Sequence, residues 1–104
     1  MTRTIDARQE DLAVILDILR AHLPADTRVW VFGSRATGTA RRYSDLDLAL
    51  EWEQPLGLDL ISEVAEALSE SDLAYKVDVV DLWLVTPAFR AMIEADMIPF
   101  HTRY

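Results

Sequence analysis

The segment Ser44-Asp45-Leu46-Asp47-Leu48-Ala49-Leu50 limits the possible folds most, because it alternates acid and leucine at a spacing of two. Successive side chains of a strand point to opposite faces, so Asp45 and Asp47 share one face while Leu46 and Leu48 share the other. Such a strand belongs in a sheet that buries one side and leaves an acidic side open. Upstream, Val29-Trp30-Val31-Phe32 has the β-branched and aromatic content of a second buried strand. It runs directly into Gly33-Ser34, where a strand hands over to a helix, and junctions of that kind present free backbone N–H groups to anions.

Two carboxylates on one strand face, roughly 6–7 Å apart at their Cβ atoms, repel each other unless a cation lies between them. Magnesium or manganese suits the gap. These hard ions take oxygen ligands, keep several waters, and are usually held by one or two carboxylates together with the phosphates of a substrate. A pair of ions about 3.5–4 Å apart, clamping an in-line displacement at phosphorus, draws ligands from more than one segment, so a third acid is expected. Asp78 is the candidate, in the middle of the strand-like run Ala74-Tyr75-Lys76-Val77-Asp78-Val79-Val80-Asp81-Leu82. Asp81 falls on the opposite face by alternation and is expected to make turn contacts before Trp83.

These residues resemble the DNA polymerase β-like nucleotidyltransferase superfamily, and within it the minimal nucleotidyltransferase (MNT) branch. The likeness is carried by Gly33-Ser34, the helix start Arg35-Ala36-Thr37-Gly38, the strand Ser44-Asp45-Leu46-Asp47-Leu48 and the distal Asp78, with a weaker match over 89–100. It implies a metal-dependent transfer of a nucleoside monophosphate, AMP from ATP or the equivalent from another nucleoside triphosphate, onto a hydroxyl. Asp45 and Asp47 would ligate two Mg2+ or Mn2+ ions, and Asp78 would ligate the ion at the acceptor and help withdraw its proton. Gly33 and Ser34 would hold the β- and γ-phosphates, with Arg35, Arg42 and Ser44 as further nucleotide contacts. The resemblance also implies a HEPN-domain partner, which the chain would counter as an antitoxin by adding AMP to one of its tyrosines.

The residues support that chemistry without a nucleophilic triad, since transfer at phosphorus needs positioning and charge neutralisation more than covalent help. Gly33 lets backbone approach a triphosphate, and Ser34 offers an N–H and a hydroxyl at a helix start. Arg35, Arg41 and Arg42 are nearby cations with the fork that phosphate oxygens accept. Two other readings share these residues. One is a binding subunit that neutralises its partner by contact alone; the other is a transferase for small molecules such as antibiotics, completed by a partner subunit.

With 104 residues the chain is expected to form one domain spanning 1–104, leaving the acceptor to come from a partner or a second copy in a homo- or hetero-oligomer. Its net charge of −8 disfavours stable nucleic-acid binding and suits a basic partner. There are no cysteines for disulfides or zinc thiolates. The absence of a long apolar run and of a signal-like N-terminus points away from membranes and to a cytoplasmic protein.

The apolar pattern predicts α+β architecture: a small mixed sheet, helices packed mainly on one face, acids on the other. A first helix is expected from an Asp6 cap to about His22, with Gln9 in the capping-box position. Strands follow at 28–32 and about 44–52, then a helix carrying Leu60, Val64 and Leu68, the Asp78 strand, and a last helix after Pro87. Trp30 is expected in the core. His22 and His101 lie near element ends and read as capping or surface residues. Trp52, Trp83, Phe100 and Tyr104 are many aromatics for so small a chain, and they either close the core or mark a partner surface.

Overall fold

In the computed structural model, which describes residues 4–100, the elements run α1 (Gln9–His22), β1 (Arg28–Phe32), α2 (Ser34–Thr37), β2 (Leu46–Glu51), α3 (Leu58–Ser69), β3 (Val77–Asp81), α4 (Pro87–Asp96) and β4 (Ile98–Pro99). The strands form one sheet in the order β3-β2-β1-β4. β1 pairs antiparallel with β2 and β4, while β2 and β3 are parallel and joined through α3. This is the expected mixed sheet.

Alternation in β2 divides the molecule into layers. Leu46, Leu48 and Val31 are fully buried with Leu12, Ile15 and Leu19 of α1 and Val64 and Leu68 of α3. Each such side chain contributes roughly 1.5–3 kcal/mol by leaving water. The opposite face carries a smaller cluster of Ala49, Leu82 and Ile93, with Trp30, Phe32 and Val80 packed against it. Ile93 belongs to α4, so α1 and α3 cover one face and α4 part of the other. Trp30 is therefore half-buried beside α4 rather than deep in the main core.

The register shows what α4 leaves open. Trp30 opposes Ala49, which opposes Val80, and this row lies in the α4 cluster. One row nearer the start of β2, Phe32 opposes Asp47, which opposes Asp78. Only Phe32 of that row joins the cluster; its ring meets Phe89 edge-on at 6.3 Å. α4 itself starts as its sequence suggests: Pro87 occupies the first turn, and the Phe89 N–H donates to Thr86 Oγ1 at 3.1 Å.

Asp6 does not cap α1. Its N–H donates to the Arg35 carbonyl at 2.8 Å and its own carbonyl accepts from Arg35 Nη1 at 2.7 Å, which pins residue 6 against α2. The helix starts later, with Arg8 in the cap position and its guanidinium on Asp11 at 3.1 Å. His22 Nδ1 lies 3.5 Å from Glu63 Oε2 at the end of α1. His101 and Tyr104 fall outside the described residues.

Asp81 opposes Leu50 in the register and is 3 % exposed. Its carboxylate accepts from the N–H groups of Leu56 at 2.7 Å, Gly57 at 3.3 Å and Trp83 at 2.9 Å. It fastens the loop before α3 to the turn after β3. Replacing it by alanine would leave three donors in a water-poor place, so Asp81→Ala should cost about 3 kcal/mol. Urea denaturation checks this; a midpoint equal to that of the parent chain would show that the carboxylate is not a tie.

Candidate active site

Gly33 is the hinge of the site. It ends β1 with φ +76°, which L side chains rarely adopt, and a Cβ placed on it would stand 2.5 Å from Asp47 Oδ2. The Asp47 carboxylate thus packs directly over the glycine backbone. Ser34 follows as the first residue of α2, whose opening turn leaves N–H groups without helical partners. Glycine here answers two demands at once, a left-handed backbone and a close approach.

The 41–44 turn delivers Asp45. Ser44 Oγ accepts from the Arg41 N–H at 2.8 Å, and the Ser44 N–H donates to the Arg41 carbonyl at 3.1 Å. Asp45 is exposed immediately before β2, and Asp47 is half-buried within it. Asp78, on the neighbouring parallel strand, is the register partner of Asp47. Two segments therefore bring Asp47 and Asp78 to one face of the sheet beside the Gly33-Ser34 turn, with Asp45 near enough to act on Asp47.

The charges register this crowding. The Asp47 carboxyl is pushed from its ordinary 3.8 up to about 6, chiefly by burial and further by Asp78 and then Asp45, with Lys76 pulling the other way. Lys76 is the residue that sequence reasoning passed over. Its Nζ lies 3.1 Å from Asp78 Oδ1, and the contact in turn raises the pKa of its ammonium. Residues 76 and 78 obey the same spacing of two that linked Asp45 to Asp47, so the signal was available. Among the described residues no group of three or more His, Cys, Asp or Glu side chains is placed so as to hold a metal ion; one Asp78 oxygen is held by the lysine.

Arg35, expected beside a nucleotide, is placed elsewhere. Only 5 % exposed, it donates to the carbonyls of Ser44 at 2.9 Å, Asp6 at 2.7 Å and Arg42 at 3.2 Å, and stacks 4.0 Å over the Tyr75 ring. With all three guanidinium nitrogens on backbone oxygen, it is a brace for the 41–44 turn. Arg42 remains exposed, its guanidinium 5.2 Å from the Tyr43 ring centre.

The fold that carries this glycine–serine turn and its neighbouring carboxylates is that of a nucleotidyltransferase. The sequence matches the polymerase β nucleotidyltransferase family over residues 14–98, and the chain belongs to that family. It is 44 % identical over 89 residues to a Haemophilus influenzae protein described as probable protein adenylyltransferase MntA, covering 86 % of this chain and 77 % of that one. A solved toxin–antitoxin with AMP-PNP superposes with a TM-score of 0.74 at 27 % identity, covering 88 % of this chain and 73 % of the other. A tri-AMPylated Shewanella oneidensis HEPN toxin in complex with MNT antitoxin shares the fold, with a TM-score of 0.67 at 23 % identity over 91 % and 73 % of the chains.

Because the fold holds the Asp47 proton more tightly than the unfolded chain does, this group's contribution to stability falls as pH rises from about 4 to about 6. Asp47→Asn removes the effect. Without divalent cations, the melting temperature of the variant should gain on that of the parent chain across that window and keep its advantage through neutral pH. Parallel melting curves from pH 4 to pH 7 would contradict the raised pKa of Asp47.

Proposed function

We propose that this chain transfers AMP from ATP to a hydroxyl of a HEPN-domain partner and thereby acts as its antitoxin. The observation that carries the reading is the Asp47–Asp78 pairing, with Asp45 near Asp47 and Gly33-Ser34 alongside. The 44 % identity to MntA supports adenylyl transfer, and the HEPN complexes among its structural neighbours support the class of partner.

By their chemistry the carboxylates suit divalent cations. They are hard oxygen donors, and Asp47 and Asp78 are neighbours in register with one exposed lysine as the cation beside them. Asp45, Asp47 and Asp78 would hold two Mg2+ or Mn2+ ions, which when bound supply charge neutralisation at the α-phosphate. The remaining work belongs to the chain. The N–H groups at the start of α2 receive β- and γ-phosphate oxygens, and exposed Arg42 lies on the turn that leads to Asp45. The acceptor oxygen attacks the α-phosphorus, the bond from that phosphorus to the bridging oxygen of the β-phosphate breaks, and pyrophosphate leaves. Asp78 accepts the hydroxyl proton, while Arg35 holds the turn that fixes Asp45.

The test uses ATP labelled in its α-phosphate, Mg2+ and a purified HEPN-domain protein from the same genome. Label should pass to the partner, and Asp45→Asn or Asp47→Asn should slow the transfer by at least about a hundredfold, the scale of a lost metal contact. No labelled partner, or variants within about threefold of the parent rate, would overturn the enzymatic reading. Full neutralisation of the partner by Asp47→Asn would instead make binding the antitoxin activity.

A further inference from the structure

At the far end of the sheet, three large apolar side chains stand in solvent around one buried carboxylate. Asp81 ties the Leu56-Gly57 backbone to that of Trp83, and the two joined segments carry Leu58, 72 % exposed, Trp83, 50 %, and Leu84, 47 %. Together they expose on the order of 300 Å2, the size at which an apolar patch on a monomer often has a function. Asp81 lies three positions along β3 from Asp78, roughly 10 Å, so the patch lies outside the acid row.

The patch is rigid. Trp83 Nε1 donates to the Trp52 carbonyl at 2.8 Å, and Trp52 Nε1 donates to Asp26 Oδ1 at 2.6 Å. A tryptophan already fixed in position loses little freedom on contact, which is the property of an interface anchor. Its surroundings are acidic: Asp26, Glu53 and Asp59 are exposed, and a shallow cavity beside Trp52 is lined by Asp26, Glu53 and the Arg90-paired Glu51, with Arg28 as the cation on its wall. A second copy of this chain would bring the same carboxylates against them, and like charges across an interface are disfavoured.

We infer that Leu58, Trp83 and Leu84 form the docking surface for a basic, apolar-topped face of the HEPN-domain partner, separate from the site of transfer. The inference rests on the partner named above. It gives the small chain a means of holding the protein that carries its acceptor hydroxyl.

Calorimetric titration of the purified HEPN-domain protein into the parent chain, Trp83→Ala and Leu58→Gln tests it. Each variant should bind the partner at least about tenfold more weakly while its affinity for AMP-PNP with Mg2+ stays unchanged. Added salt should weaken the parent complex. Leu58→Gln alters a side chain mostly in water and decides the matter if Trp83→Ala does not fold. Parent-like affinity in the folded variants overturns the docking surface and leaves the proposed function intact. No binding by the parent chain removes the partner itself. A parent dimer by sedimentation that Trp83→Ala converts to monomer assigns the surface to a second copy and overturns the inference.

Discussion

The parallel pairing of β2 with β3 sets Asp47 directly beside Asp78, and the rest of the site is arranged around that unfavourable neighbourhood. Burial first, then the Asp78 carboxylate in the adjacent register position and the nearby Asp45, raise the Asp47 pKa to about 6. Left to themselves such groups would move apart. They stay because the backbone that carries them is fixed by its other side.

That other side is the leucine layer. Slipping β2 by one residue would turn Leu46, Leu48 and Leu50 into water and the acids into the core, so the same alternation that assembles the carboxylates also forbids their escape. Three fully buried leucines contribute roughly 1.5–3 kcal/mol each, while the repulsion at Asp47 is softened by solvent because the group is only half-buried. Packing wins by a clear margin. The site is a local strain carried by a core to which its own residues belong.

The parts of the molecule set by short-range pattern were readable in advance. The acid–leucine alternation placed Asp45 and Asp47 on one face, the apolar run marked β1, and Pro87 marked the start of α4. Asp81 likewise showed its turn role through alternation and position. Long-range contacts were not readable. Arg35 reaches the carbonyl of Asp6 across 29 positions, and nothing local distinguishes a buried brace from a phosphate-binding arginine. The same bond displaced the start of α1, because a residue pinned to α2 could not also cap a helix. Trp30 lies on the α4 side for a related reason: hydrophobicity says that it is covered, not by how much.

The openness of the acid row follows from how α4 is held. Ile93 packs with Ala49 and Leu82, while Arg90 donates to the Leu82 carbonyl at 3.1 Å and to Glu51 Oε2 at 2.7 Å. These contacts sit one and two rows along β2 from Asp47, on the same face. Sliding α4 toward the acids would break the Arg90 bonds and set apolar side chains over carboxylates, which need water or cations. Phe89 of the helix meets Phe32, the residue opposite Asp47. What the helix leaves half-buried beyond it is the Asp47–Asp78 pair, so one helix both completes the second core and marks the boundary of the site.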